Sequence, residues 1–159
     1  MTNFWRFIVN VFHAFMRSIF MKVNITVARP DLIPDIWDVV FPMLKPALKD
    51  DLMLNEEILK NGLIEDKSLL FIATVDGAIK GAAVVQVQDM SHKTAWVTAI
   101  GGKGFKIWYP ALDEALQKYA SHIDCSHLIF LGSRAWQRLT RDYTQGKQVF
   151  FKEVTKWAV

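Results

Sequence analysis

The run Lys93-Thr-Ala-Trp-Val-Thr-Ala-Ile-Gly101-Gly-Lys-Gly-Phe105 leads straight into Lys106-Ile-Trp-Tyr-Pro-Ala-Leu-Asp-Glu-Ala-Leu-Gln-Lys-Tyr-Ala120. The first half predicts a strand over Thr94–Ile100, and the glycine cluster predicts a tight turn. Trp108, Leu112, Ala115, Leu116 and Tyr119 then recur on one face of a helix from about Phe105 to His122. Pro110 falls early in that helix, so regular winding is expected from there on. A strand, a glycine turn and a helix together bring unpaired N–H groups and the positive end of a helix dipole to one point. Such a point suits an anion, and glycine lets the anion approach the backbone closely. Three glycines can equally serve only to make a sharp turn, and both readings stay open on the sequence.

Working back from this stretch, Ser68–Val75 and Ala78–Gln88 read as strands joined by Asp76-Gly77, a strong hairpin turn. With Thr94–Ile100 they form a three-strand meander. Val23, Ile25 and Val27 alternate with polar neighbours in a strand over residues 22–29. Pro30 ends it, and Asp31 is placed to cap a helix carrying Leu32, Ile33, Ile36, Trp37, Val40, Phe41 and Leu44. A second helix is expected over Leu52–Lys60, closed by Asn61-Gly62. Working forward, His127–Gly132 reads as a short strand, Ser133 to about Tyr143 as a helix, and Gln148–Lys156 as a closing strand. The predicted order is β-α-α-β-β-β-α-β-α-β. A strand-helix-strand unit in the second half makes one pair parallel, so the expected fold is α/β with a mixed sheet.

Residues 1–20 stand apart. Asn3, Arg6, Asn10, His13 and Arg17 form one narrow polar stripe on a helix otherwise covered by apolar side chains such as Trp5, Phe12 and Phe20. Asn10 and His13 break the apolar core that a signal peptide requires. A lone membrane span would have to bury Arg6 and Arg17. An amphipathic arm (residues 1–21) that docks on a partner protein or lies in a membrane surface fits better. The plainer alternative is that it covers its own domain, residues 22–159.

The chain has 159 residues, 52% hydrophobic and 22% charged, which suits one folded domain. A net charge of +3 without a basic stripe gives no nucleic-acid signature. One cysteine, Cys125, excludes an internal disulfide framework, and the four histidines have no metal-ligand spacing.

This element order over residues 22–156 resembles that of the GNAT family of N-acetyltransferases. The second half resembles more narrowly the acetyltransferase-like proteins of tailed bacteriophages, through Gly101-Gly102, Trp108, Tyr119-Ala120, Asp124-Cys125 and Leu128-Ile-Phe-Leu-Gly132-Ser-Arg134-Ala-Trp136-Gln-Arg138-Leu139. The resemblance implies an acetyl-CoA site on the family loop Gln/Arg-x-x-Gly-x-Gly/Ala, here Ala99-Ile100-Gly101-Gly102-Lys103-Gly104. Both glycines match, and Ala99 replaces the polar first residue. By the same resemblance, backbone N–H groups near Ala99 and Ile100 polarise the thioester carbonyl, splayed strands admit the cofactor, and Arg134 reaches its phosphates. No metal is expected, since one cysteine rules out a multi-cysteine zinc site and the histidines lack a ligand spacing.

The catalytic positions depart from the family pattern. The strand Thr94–Ile100 has no carboxylate, which leaves Asp89 in the preceding turn as the nearest candidate base. The usual tyrosine position on the last helix falls at Thr140, with Tyr143 one turn later as the candidate acid. These departures favour a retained fold with a degenerate acyl-CoA site, serving as an interaction component of a phage particle or its ejection apparatus. The arm would dock it on other virion or assembly proteins, in an oligomer or complex located in the virion or host cytoplasm. The alternative is an active acetyl-CoA-dependent N-acetyltransferase.

Overall fold

A computed structural model describes residues 21–49, 51–132, 138, 140–144 and 146. Among the described residues, five strands form one sheet in the order β1 to β5: Val23–Ala28, Leu69–Val75, Ala78–Asp89, Lys93–Gly102 and His127–Phe130. The first four run antiparallel, and β4 and β5 pair in parallel. Three α-helices among the described residues accompany them: α1 (Ile33–Leu44), α2 (Glu56–Ile64) and α3 (Phe105–His122). A mixed α/β fold was expected, and it is what the chain adopts. The arm, the predicted last strand and most of the predicted last helix, with Arg134 and Trp136, lie outside the described residues.

The sheet buries both faces. On one side Leu70, Ile72, Ala82, Val84 and Ala99 meet Ile33, Trp37, Val40 and Leu44 of α1 and Leu59 and Leu63 of α2. On the other, Phe71, Ala73, Ala83, Val85, Val97 and Ile100 meet Trp108, Leu112 and Leu116 of α3. This is the strand period of two read against the helix period. Trp108 is fully buried, and its Nε1–H donates to the Lys103 carbonyl at 2.7 Å. Gly81 lies beneath it, where a Cβ would come within 2.3 Å of the indole.

Two local expectations are corrected. Asp31 caps no helix. Its carboxylate is tied to Arg29, 2.6 Å away, because the chain enters α1 through a 3-10 turn at Pro30–Leu32. The second helix starts at Glu56, because the Asn55 side chain accepts the Ile58 N–H at 2.9 Å and so caps it. Asn61 and Gly62 are interior to that helix. Its end is made instead by Asp66 in the left-handed region (φ 58°), with the Lys67 N–H closing on the Gly62 carbonyl at 2.9 Å. The Asp76-Gly77 hairpin matches expectation, with both residues at positive φ. Helix α3 runs unbroken through Pro110 from its start at Phe105.

Candidate functional site

Strand β4 passes through the centre of the site. Val84 pairs with Ala99 and Val85 with Val97, so Thr98 is an extra residue in β4. This β-bulge reverses the side-chain alternation: Ala95 and Val97 face α3, Ala99 faces α1 and α2, and Ile100 faces α3 again. The Thr98 hydroxyl donates to the Val84 carbonyl at 3.3 Å.

The pairing of β4 with β5 stops at the same place. Its last register pair is Val97 with Phe130, followed by the Leu131 N–H donating to the Val97 carbonyl at 3.1 Å. Strand β4 runs on to Gly102 with no ladder partner on that side among the described residues. The Lys103 N–H bonds toward β3, to the Lys80 carbonyl at 2.8 Å. Strand amides alternate in direction, so the Ile100 N–H points to the side that β5 has left. Among the described residues β5 thus follows β4 no further than Thr98, which leaves a slot-like edge along β4 that leads to the start of α3.

Glycine shapes this end of the slot for backbone reasons. A Cβ on Gly101 would lie 1.7 Å from the Met43 carbonyl oxygen, which brings the C-terminal end of α1 against β4. Gly104 adopts the left-handed conformation (φ 71°) as the N-cap of α3, where a larger residue is strained. The Lys103 amide is spent on β3, so its contribution to an anion site is its ammonium group. Lys106 adds a second cation in the first turn of α3, which holds no acidic residue. The donors available to an anion are thus the α3 amides and these two lysines.

The two catalytic candidates are placed differently. Asp89 pairs with Lys93 at the opposite end of β4, roughly 16 Å along the strand from Thr98 and roughly 30 Å from Gly102. It is not brought to the slot. Tyr143 packs edge-on against Phe130 at the end of β5, and its hydroxyl donates to Asp113 Oδ1 of α3 at 2.8 Å. Asp113 also accepts from Gln117 Nε2 at 2.8 Å. Burial, then the hydrogen bond to Asp113, push the Tyr143 hydroxyl well above the usual tyrosine range. Tyr109, beside the pair, is pushed up to about 12 by burial and by the charges of Asp113 and Asp142. Asp113 was not singled out in the sequence. Its spacing of four from both Tyr109 and Gln117 on one helix was the available signal. Among the described residues no group of three or more His, Cys, Asp or Glu side chains is placed to hold a metal.

No protein-family model matches the chain, and no curated protein sequence does. Solved structures do. An aminoglycoside acetyltransferase from an uncultured soil metagenomic sample, in complex with sisomicin, superposes with a TM-score of 0.62 at 12% identity, over 88% of this chain and 99% of its own. Ribosomal-protein-alanine N-acetyltransferase from Brucella melitensis biovar Abortus 2308 gives 0.57 at 16% identity, over 86% and 100%. A predicted acetyltransferase from Clostridium acetobutylicum with acetyl-CoA gives 0.57 at 14%, over 84% and 96%. The chain has the GNAT acetyltransferase fold. Solved GNAT structures hold CoA or acetyl-CoA, including the one from C. acetobutylicum. At these identities the likeness extends to the fold, and chemistry has to be argued from the residues of this chain.

Proposed function

We propose that this GNAT-fold protein binds acetyl-CoA in the slot between β4 and β5 and transfers the acetyl group to an amine. The observation that carries this reading is the Thr98 bulge coinciding with the end of β5 pairing, while β4 continues to the N-terminus of α3. An ordinary sheet edge needs neither feature. The residues present fit the donor. The Lys103 and Lys106 ammonium groups and the first turn of α3 suit a pyrophosphate. The Ile100 N–H is directed into the slot, where it would polarise a thioester carbonyl. Acetyl-CoA supplies an acetyl group as a thioester: the amine nitrogen bonds to the acetyl carbon, the C–S bond breaks, and the amine's proton ends on the CoA thiol. Asp89 is too far away to take that proton, so the acceptor has to react in its neutral form or lose the proton to water.

Isothermal titration of the full chain with acetyl-CoA tests this. Micromolar affinity is expected, with the Lys103→Glu, Lys106→Glu double variant weakened about tenfold or more. No heat at millimolar ligand removes the donor and sinks the reading.

A second reading rests on the remoteness of Asp89 and on the Tyr143 proton being held by Asp113. In it the fold serves as a scaffold in a phage particle or its ejection apparatus, and residues 1–20 dock on another assembly protein or a membrane surface. Copurification with virion proteins, together with silent acetyl-CoA titrations, would favour it over the enzyme.

A further inference from the structure

Strand β1 is the outer strand of the sheet on the side away from β5, and among the described residues its outer edge has no partner. One bond fixes which of its backbone groups face that edge. The Asp76 N–H donates to the Lys22 carbonyl at 2.9 Å, so residue 22 faces β2. Strand residues alternate in direction. Asn24, Thr26 and Ala28 therefore bond to β2, while Val23, Ile25 and Val27 direct both N–H and C=O outward.

Monomeric proteins guard such an edge with a charge, a proline, a bulge or a covering element. The strand Val-Asn-Ile-Thr-Val-Ala carries neither charge nor proline. Its pairing with β2 stays in register from end to end, whereas the β2–β3 and β3–β4 ladders both shift. The described helices leave it open: Asn24, Thr26 and Val27 are exposed, Val27 by 47%.

The edge is also complementary to itself. Laid antiparallel on a second copy about a two-fold axis at Ile25, Ile25 meets Ile25 and Val23 meets Val27, and every outward N–H finds an outward C=O. The axis is perpendicular to the sheet, so both copies keep α3 on the same face. These β-branched pairs fall on that face, where Val23 and Ile25 already pack against the core, and Asn24 falls opposite Thr26 on the other. The charges agree. Lys22 falls opposite Ala28, and Arg29 falls opposite Met21 with its guanidinium held by Asp31 at 2.6 Å. A shift of one residue would set outward groups against groups already bound to β2, and a shift of two carries an end residue past the partner strand.

We infer that this edge is an interface for a second copy of the chain, joined β1 to β1 so that one sheet runs through both copies. Strand pairing alone buries less than the ~1,600 Å² of a standard interface, so the expected Kd is weak, on the order of 10 µM. The inference does not rest on the acetyltransferase reading.

Sedimentation equilibrium of the full chain, from about 1 to about 300 µM, should show a reversible monomer–dimer equilibrium. Hydrogen exchange locates the seam. The Val23, Ile25 and Val27 amides should slow as concentration rises, while those of Asn24, Thr26 and Ala28 should be protected throughout. Val27→Pro removes an outward donor and no β1–β2 bond, and Val27→Lys sets a charge on the edge at an exposed position. Each should weaken association about tenfold or more, and the lysine variant should keep its denaturant midpoint. A monomer at the highest concentration overturns the inference. So does a dimer that both variants leave intact, or one that forms without slowing the outward amides, as association through residues 1–20 would.

Discussion

Tyr143 shows how position sets what a residue can do. A tyrosine that protonates a leaving thiolate must present its proton to the slot. Here the hydroxyl donates that proton in a hydrogen bond to Asp113, and burial makes it a weaker acid still. A general acid typically contributes about 100-fold or more to a rate. Tyr143→Phe is therefore expected to change acetyl transfer by less than about threefold while costing roughly 1 kcal/mol of stability, read from steady-state rates and denaturant unfolding. A 100-fold fall in kcat would restore Tyr143 to catalysis. The chain has three tyrosines, and the hydroxyl pKa values of Tyr109, Tyr119 and Tyr143 all lie above the ordinary value of 10.0. A raised folded pKa stabilises the fold fully below the unfolded value. That contribution is lost as pH climbs through the folded one. Stability should thus hold to about pH 10 and fall from there toward pH 12, the range in which the unfolded chain loses a proton that buried Tyr109 keeps. Ultraviolet titration of the native chain should show little tyrosinate at pH 10, where the unfolded chain is half ionised. Substantial native ionisation there would contradict the burial of these hydroxyls.

At the level of elements, the sequence announced the strand, turn and helix around Gly101–Gly104 but hid the device that opens the slot. From Thr94 to Ala99 polar or aromatic and small apolar residues alternate without a break, as in any half-buried strand. The bulge at Thr98 exists only relative to β3, whose register cannot be read from β4 alone. The apolar pair Ala99-Ile100 was the remaining trace, since both are buried on opposite faces. The misplaced start of α2 has a similar origin: Leu52 and Leu54 fit a helical period, yet Asp51 holds the amides of Met53 and Leu54 in a turn. The glycines separate by physical role. Gly101→Ala must push a Cβ into the Met43 carbonyl and should cost about 1–3 kcal/mol or more, through displacement of α1. Gly104→Ala meets nothing closer than 3.6 Å and pays only the left-handed backbone penalty, about 1–2 kcal/mol. Denaturant midpoints of the two variants measure this, and a costlier Gly104→Ala would mean that α1 does not press on β4.

For the whole molecule, the decisive fact is that helices cover both faces of the sheet: α1 and α2 on one, α3 on the other. That layering was legible because the helical and strand periods were strong over Val23–Ile100 and Phe105–His122. The open cleft lined by Phe41, Leu48, Lys49 and Leu54 was not, since it is assembled from the end of α1, the 3-10 turn Lys45–Leu48 and the start of α2. The layering also bears on the apolar arm. Met21 packs at the margin of the α3-side cluster, and the largest fully buried side chains among the described residues, from Ile33 to Leu116, pack against one another in a cluster on each face of the sheet. A chain beginning at Met21 should therefore fold, unfold cooperatively in denaturant and keep the late tyrosine titration. If the arm serves docking, this shortened chain should also lose its partners in pull-down from the source cell, while acetyl-CoA binding is retained. Loss of cooperative unfolding on removing residues 1–20 would place the arm in the domain's own core and end its role as a docking element.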